Sequence, residues 1–167
     1  MNRCLRYLLP LLAALASHAA LALPSQPDTA FGSGGLALRT RAASDSNASA
    51  AAIAEQRDGR LVVAGWCQPN GADVPRLCVY RLLANGTPDP AFAGGAVLTT
   101  TLDIEWYSNA WVLAQVAVQQ SGKIVLATTC RGTDLVARFC LLRLNADGSV
   151  DASFGSSGRA SLLIGAS

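Results

Sequence analysis

The sequence predicts an all-β protein built from two repeated four-stranded units and one extra strand. A phrase of the form Asp-x-x-Phe occurs at residues 28–31, 89–92 and 151–154. Between these phrases, "DGRLVVAGWC" (58–67) matches "SGKIVLATTC" (121–130), and "LCVYRLLANGTPDPAF" (77–92) matches "FCLLRLNADGSVDASF" (139–154). Short apolar runs alternate with glycine-containing turns, which is typical of strands joined by hairpins.

Each unit offers four strand-like segments in the same order. They lie at 51–56, 61–67, 76–83 and 94–100 in the first unit, and at 115–120, 124–130, 138–145 and 158–164 in the second. The turns between the first two strands carry Gly59 and Gly122, since glycine supplies the positive φ of a tight hairpin. The units span about 34–94 and 95–158, residues 158–164 form the closing strand, and the low-complexity run 44–52 is expected to be a flexible surface loop.

The first 22 residues predict a secretory signal peptide. A short basic stretch with Arg3 and Arg6 precedes an apolar run, and the small-residue pattern Ala20-Leu21-Ala22 follows it. The run is shorter than the roughly 20 residues that cross a bilayer, so we expect cleavage after Ala22, export to the periplasm or medium, and no stable membrane insertion.

Net charge argues against a nucleic-acid partner. Removal of the leader takes Arg3 and Arg6 with it and leaves 11 of the 13 basic residues against 11 acidic ones. A nearly neutral chain has no basic face to follow a phosphate backbone. The domain that remains, residues 23–167, is therefore expected to serve some other class of partner.

Four cysteines remain after the leader, and the repeat predicts their pairing. Cys67 and Cys130 end equivalent strands, while Cys78 and Cys140 lie near the start of the next strands. We predict one disulfide within each hairpin, Cys67 to Cys78 and Cys130 to Cys140, as in an exported protein. The spacings of 11 and 10 residues do not suit the close cysteine pairs of a zinc site.

The repeated segments resemble a known family. "NADGSVDASFGSSG" (145–158), preceded by "QQSGKIVLAT" and "ARFCLLRL", is similar to the bacterial delta-60 repeat, whose pattern runs approximately DGKIVVAG and then ALARYNxDGxxDxSFGxxG. The resemblance covers essentially all of residues 23–167 and implies a β-propeller-like fold, with no enzymatic activity and no fixed binding residue. Two departures are a residue missing from "AFAGG" (91–95) and the cysteines, which are a local addition.

Propellers close with four or more four-stranded blades, so two blades and one spare strand are too short to close alone. Three alternatives stay open: a small open two-sheet β-sandwich, a ring of copies, or a short relative of longer arrays. Self-association and association with a longer repeat protein are the corresponding partner hypotheses. The sequence identifies neither the partner nor a ligand.

The Asp-x-x-Phe phrases are interpreted as structural punctuation between units. Their phenylalanines would fill the seam between neighbouring sheets, and their aspartates would cap the turns through side-chain to backbone hydrogen bonds. The six residues are Asp28, Phe31, Asp89, Phe92, Asp151 and Phe154. Arg81 and Arg143, each eight residues before an aspartate, predict ion pairs with Asp89 and Asp151. Because no DxDxDG run accompanies them, calcium is not expected.

The sequence predicts no catalytic residue, no cofactor and no metal. Its only histidine, His18, lies in the leader, so the mature chain has no Ser-His-Asp or histidine-ligated metal site. Lys123, the sole lysine, is interpreted as an exposed turn residue. The P-loop, dinucleotide-binding and HExxH motifs do not occur.

The alternative function is carbohydrate binding or cleavage by one loop of the second unit. Asp103 and Glu105 are two residues apart, and Trp106, Tyr107 and Trp111 supply flat side chains on which sugar rings stack. The first unit reads "ASDSNASA" at the equivalent place, and divergent loops on a repeating scaffold are where binding function concentrates. The speculative ligand-binding residues are Glu105, Trp106, Tyr107 and Trp111.

Overall fold

The structure is a computed structural model that describes residues 26–38, 45–69, 76–100, 115–131 and 136–163. It contains two four-stranded antiparallel sheets, which confirms the predicted all-β fold of repeated four-stranded units. The strands of the first sheet are β1 (Asp45–Glu55), β2 (Leu61–Pro69), β3 (Arg76–Leu82) and β4 (Leu98–Thr100), and those of the second are β5 (Gln115–Val118), β6 (Ile124–Arg131), β7 (Ala137–Leu144) and β8 (Arg159–Leu163).

Each sheet is a meander in which strands adjacent in sequence are adjacent in space. The order is β1-β2-β3-β4 in one sheet and β5-β6-β7-β8 in the other. Neither sheet closes on itself within the described residues, and a 3₁₀ turn at Ala93–Gly95 is the helical element there. No described helix is long and apolar enough to span a membrane. The predicted closing strand at 158–164 corresponds to β8, the fourth strand of the second sheet.

The prediction of a flexible surface loop at 44–52 is wrong from Asp45 onward. Residues 45–52 are the first eight of the 11 residues of β1, which pairs with β2 from Asp45 opposite Pro69 to Glu55 opposite Leu61. Register shifts after Asp45 and after Ala50 accommodate the irregular sequence. Backbone hydrogen bonding to β2 decides the conformation here, since strand pairing routinely overrides the weak preferences of Ser, Asn and Ala.

A single apolar core lies between the two sheets. Its buried members come from β2, β3, β6 and β7, together with one phenylalanine from the connection between β3 and β4: Val62, Ala64, Leu77, Val79, Phe92, Ile124, Leu126, Leu142 and Leu144. Burial of this surface is the main force that holds the two sheets together. Strand β5 of the second sheet contacts β1 and β2 of the first.

The two sheets bury opposite faces of equivalent strands. In β2 the core residues are Val62 and Ala64, whereas in β6 they are Ile124 and Leu126, which the repeat aligns with Leu61 and Val63. Because side chains alternate between the faces of a strand, a shift by one residue reverses the buried face. We call the face of the first sheet that carries Val62, and the equivalent face of the second sheet, the front of each sheet. The front of the first sheet therefore packs on the back of the second, as neighbouring blades do in a propeller.

Candidate functional site

The three Asp-x-x-Phe turns share one hydrogen-bonding pattern. The Oδ1 atom of Asp28, Asp89 and Asp151 accepts the N–H two residues later, at 3.0, 2.9 and 3.2 Å respectively. In each turn the aspartate carbonyl also accepts the N–H of the phenylalanine, at 3.0 to 3.1 Å. Short polar side chains that bond their own backbone in this way stabilise tight turns.

Asp89 forms a buried ion pair that reaches across the seam between the sheets. Arg81 donates from Nε to Oδ2 of Asp89 at 2.7 Å, and both side chains are buried. The Nη1 atom of the same arginine donates to the carbonyl oxygen of Ala146, in the second unit, at 2.6 Å. Arg60 adds a second contact to Asp89 at 3.2 Å. One guanidinium group thus fixes its own turn and ties it to the neighbouring unit.

Asp151 has the equivalent set of partners within the second unit. Arg143 donates from Nε to its Oδ2 at 2.6 Å, and Lys123 donates from Nζ to the same oxygen at 2.8 Å. Lys123 stands where the repeat places Arg60, so both units surround their aspartate with two cations. The prediction that Lys123 is an exposed turn residue missed this contact. A basic residue at the same position of both repeats, Arg60 and Lys123, was the signal that could have indicated it.

The pKa values of both aspartates lie below the ordinary value of 3.8. Burial by itself would raise the pKa of Asp89, but the hydrogen bond from Ala91 and the charges of Arg81 and Arg60 outweigh it. The pKa of Asp151 is lowered first by the hydrogen bond from Lys123, and then by those from Ser153 and Arg143. Both groups are therefore carboxylates at neutral pH, engaged in structural pairs.

The phenylalanines of the first two turns each lie against the Asx-Gly turn of the unit that follows. Phe92 is 0% exposed, and a Cβ placed on Gly148 would lie 3.0 Å from its Cε2 atom. A Cβ on Gly86 would lie at the same distance from Cε2 of Phe31. Only glycine, here at φ of +93° and +80°, allows so close an approach.

The third turn is placed differently. Phe154 is half-buried, and the guanidinium carbon of Arg143 lies 4.5 Å from the centre of its ring. The Nη2 atom of Arg143 contacts Ser153 Oγ at 3.4 Å, whereas Nη1 of Arg81 reaches the next unit. Within the described residues no third unit follows to receive this turn.

Both predicted disulfides are present. Cys67 is bonded to Cys78 and Cys130 to Cys140, with Cα atoms 5.9 and 5.8 Å apart. Each disulfide joins neighbouring strands of one sheet. In both units the second cysteine lies two residues beyond the residue directly opposite the first cysteine. Disulfides of this kind are typical of oxidising, extracytoplasmic compartments.

The outer face of the second sheet carries an exposed apolar surface. We define the "β6–β8 outer face" as Ala127, Thr129, Phe139, Leu141, Ala160 and Leu162. Phe139 and Leu162 lie directly opposite each other on β7 and β8 and are 57% and 69% exposed. These residues line an open cavity of about 550 Å³. Exposed apolar patches of this kind mark interaction surfaces in soluble proteins.

The carbohydrate loop of the sequence analysis cannot be placed on this surface. Glu105, Trp106, Tyr107 and Trp111 lie outside the described residues, as does the predicted signal peptide. In the described ranges there is no cluster of three His, Cys, Asp or Glu side chains that could hold a metal ion. The outer face was not predicted from the sequence. The available signal was a pair of large apolar side chains, Phe139 and Leu162, in two consecutive predicted strands.

Comparison with known proteins supports the repeat architecture. A family model described as "Domain of unknown function (DUF5122) beta-propeller" matches residues 56–92 and again residues 119–154. No curated protein and no solved structure matched the chain. The two matched stretches both end at an Asp-x-x-Phe turn, one unit apart. Over these two consecutive repeats the chain is therefore similar to a β-propeller domain family of unknown function.

Proposed function

We propose that the protein is an exported, non-catalytic module of the delta-60 repeat type that acts by associating with another macromolecule through its sheets. The observation that carries the proposal is the β6–β8 outer face. Two large apolar side chains, Phe139 and Leu162, stand more than half exposed there. Water contact of such side chains is unfavourable by roughly 25 cal/mol per Å² of apolar surface, and docking of a partner relieves it.

The polar groups of the repeats support a structural interpretation. Asp89 and Asp151 are each held by two basic side chains, so neither pair of charges is available for a substrate. Besides alanine, threonine, leucine and phenylalanine, the cavity lining includes Gln115, Ser161 and the disulfide-bonded Cys140, none of which is an ordinary general acid or base. The surface therefore suits binding.

The export component has two supports. Residues 1–22 have the basic, apolar and small-residue regions of a signal peptide. The two hairpin disulfides suit an oxidising compartment. Mass spectrometry of extracytoplasmic material should find an amino terminus at Leu23 and no free thiols; a full-length, reduced chain in the cytoplasm would contradict export.

Photo-crosslinking tests the association component. The probe is p-benzoylphenylalanine in place of Phe139, and the control places it at Ser121, an exposed residue of the β5–β6 turn. We expect an adduct in the producing cells from position 139 and little from position 121. Equal yields from the two positions, or no adduct from position 139, would contradict a binding role for the outer face.

Carbohydrate binding by the loop with Glu105, Trp106, Tyr107 and Trp111 is the second candidate. It is favoured by the aromatic side chains of this loop, which the equivalent stretch "ASDSNASA" of the first unit lacks. Glycan binding that disappears in a Trp106→Ala, Tyr107→Ala double variant of unchanged circular dichroism would support it. Binding that survives the double substitution would eliminate this loop.

A further inference from the structure

We propose that the partner of the β6–β8 outer face is the first sheet of a second copy of this chain. The inference rests on the proposed function and names its partner. In this assembly the two sheets meet front to back, as they do inside one chain, and the Asp-x-x-Phe turn at 151–154 of one copy replaces the turn at 28–31 on the next.

The exposed β6–β8 outer face has a buried equivalent in the same molecule. The repeat aligns Phe139 with Leu77, which is only 3% exposed because the second sheet covers it. Leu141 aligns likewise with the fully buried Val79. In the first sheet this face receives the back of the second sheet. In the second sheet the same face is open.

The outer face of the first sheet presents the matching surface. Ile53, Val63 and Tyr80 lie opposite one another across β1, β2 and β3. Their equivalents, Val116, Leu126 and Leu142, pack in the core between the sheets. We define the "β1–β3 outer face" as Ile53, Leu61, Val63 and Tyr80, of which Ile53 is 63% exposed. Glu55 stands where the second unit has Val118, so a charged residue replaces an apolar one at this place. It lies on β1, the edge strand.

The turns at the two ends of the stack are complementary as well. Inside the chain, the junction between units is sealed by Phe92 against Gly148 and by the hydrogen bond from Arg81 to Ala146. The turn at 151–154 has the same parts, Phe154 and Arg143, and no unit follows it within residues 136–163 of the structure. Docked on a second copy, Phe154 would lie against Gly86, and Arg143 would reach the carbonyl of Ala84, the equivalent of Ala146.

Within a single copy, the leading turn at 28–31 already occupies this place against Gly86. Phe31 lies against Gly86, and the N–H of Gly32 donates to Asn85 at 2.7 Å. The position eight residues before Asp28 is Ala20, which lies in the predicted leader and leaves with it, whereas Asp89 and Asp151 have arginine at this place. The leading turn thus lacks the cation that ties its equivalent across the seam. Exchange for the incoming turn keeps the phenylalanine contact and adds the arginine bond.

Such contacts are heterologous, since each copy uses a different face toward each neighbour. This property separates the proposal from a two-fold dimer of two β6–β8 outer faces. Phe139→Asp blocks one end of the chain, and Ile53→Asp blocks the other. Both side chains are exposed in the free chain, so the substitutions leave the core intact. Ser121→Asp, which introduces the residue type that the first unit has at this turn, is the charge-matched control.

The measurement is the molar mass of the oxidised chain from residue 23, by light scattering and sedimentation over a range of concentrations. We expect mass to rise with concentration for the wild-type chain and for Ser121→Asp. Phe139→Asp or Ile53→Asp should weaken association by about a hundredfold or more, because a carboxylate would be buried unpaired. An equimolar mixture of the two variants should form dimers, since each supplies the face that the other lacks.

Three further outcomes decide the matter. Phe31→Ala should strengthen association several-fold by weakening the competing turn, and weaker or unchanged association would overturn the exchange. Self-association of Ile53→Asp at the wild-type level would indicate the two-fold dimer and overturn the proposal, as would a wild-type chain that stays monomeric up to its solubility limit. A position-139 adduct with a different protein would also overturn self-association while leaving the proposed association function intact; no adduct would count against both.

Discussion

Replacing Phe92 by alanine removes the side chain that fills the seam between the two sheets. Phe92 is fully buried within the core, its ring lies against Gly148, and the guanidinium carbon of Arg81 stands 5.1 Å from the ring centre. Removal of a phenylalanine from such a site costs about 3–5 kcal/mol, through lost transfer free energy and the cavity left behind. The free energy of unfolding should fall by that amount.

Phe154 provides the matched control, because it is the same residue at the equivalent place in the repeat. It is half-buried and lies against Arg143, with no following unit in the described residues. Phe154→Ala should therefore cost about 1 kcal/mol, as is usual for a residue outside the core. The difference between the two variants isolates the contribution of the seam from that of the turn.

Urea unfolding of the oxidised chain, followed by circular dichroism and tryptophan fluorescence, measures both free energies. It should be done at a concentration at which light scattering shows all proteins as monomers. Equal losses for Phe92→Ala and Phe154→Ala would refute the reasoning. So would a loss below about 1 kcal/mol for Phe92→Ala, since the side chain would then not be filling a packed seam.

Three further results are expected from the same unfolding experiments. Asp89→Asn should cost about 3–5 kcal/mol, because it leaves the buried Arg81 unpaired; a cost under 1 kcal/mol would show that the pair is dispensable. The pKa values of Asp89 and Asp151 are lowered, so their contribution is complete above the unfolded value of 3.8 and is lost as pH falls below it; stability unchanged from pH 5 to pH 2.5 would contradict this. Gly148→Ala should cost about 1–3 kcal/mol more than Gly122→Ala, since both have positive φ but only Gly148 meets Phe92; equal costs would argue against that contact.

Much of the fold could be predicted because the chain is aligned on itself. Two copies of each strand and turn reduce the ambiguity of any single segment, and the cysteines fall at equivalent strand ends, which leaves one sensible pairing. The segment 44–52 has no such support, since its sequence differs from the corresponding part of the second unit. Its strand conformation depends on pairing with β2, which composition alone does not reveal.

The faces that the sheets bury could not be predicted from the repeat. Val62 and Val125 occupy the same place in the alignment, yet Val62 lies in the core and Val125 does not. Equivalent sequences bury different faces because one sheet precedes the other in the stack, which is a property of their order along the chain. Lys123 was misjudged for a related reason, since its partner Asp151 is 28 residues away and adjacent only after folding.

The position of the disulfides determines which parts of the protein can separate. Cys67 pairs with Cys78 and Cys130 with Cys140, each within a single sheet, so no disulfide among the described residues joins one sheet to the other. A force that pulls the sheets apart is opposed across the seam by side-chain packing, by the Arg81 to Ala146 hydrogen bond, and by the hydrogen bond from the Ala93 N–H to the Asp147 carbonyl. Each disulfide-bonded hairpin should keep its structure under such a force. The two sheets should therefore separate from each other intact, joined by the chain that connects them.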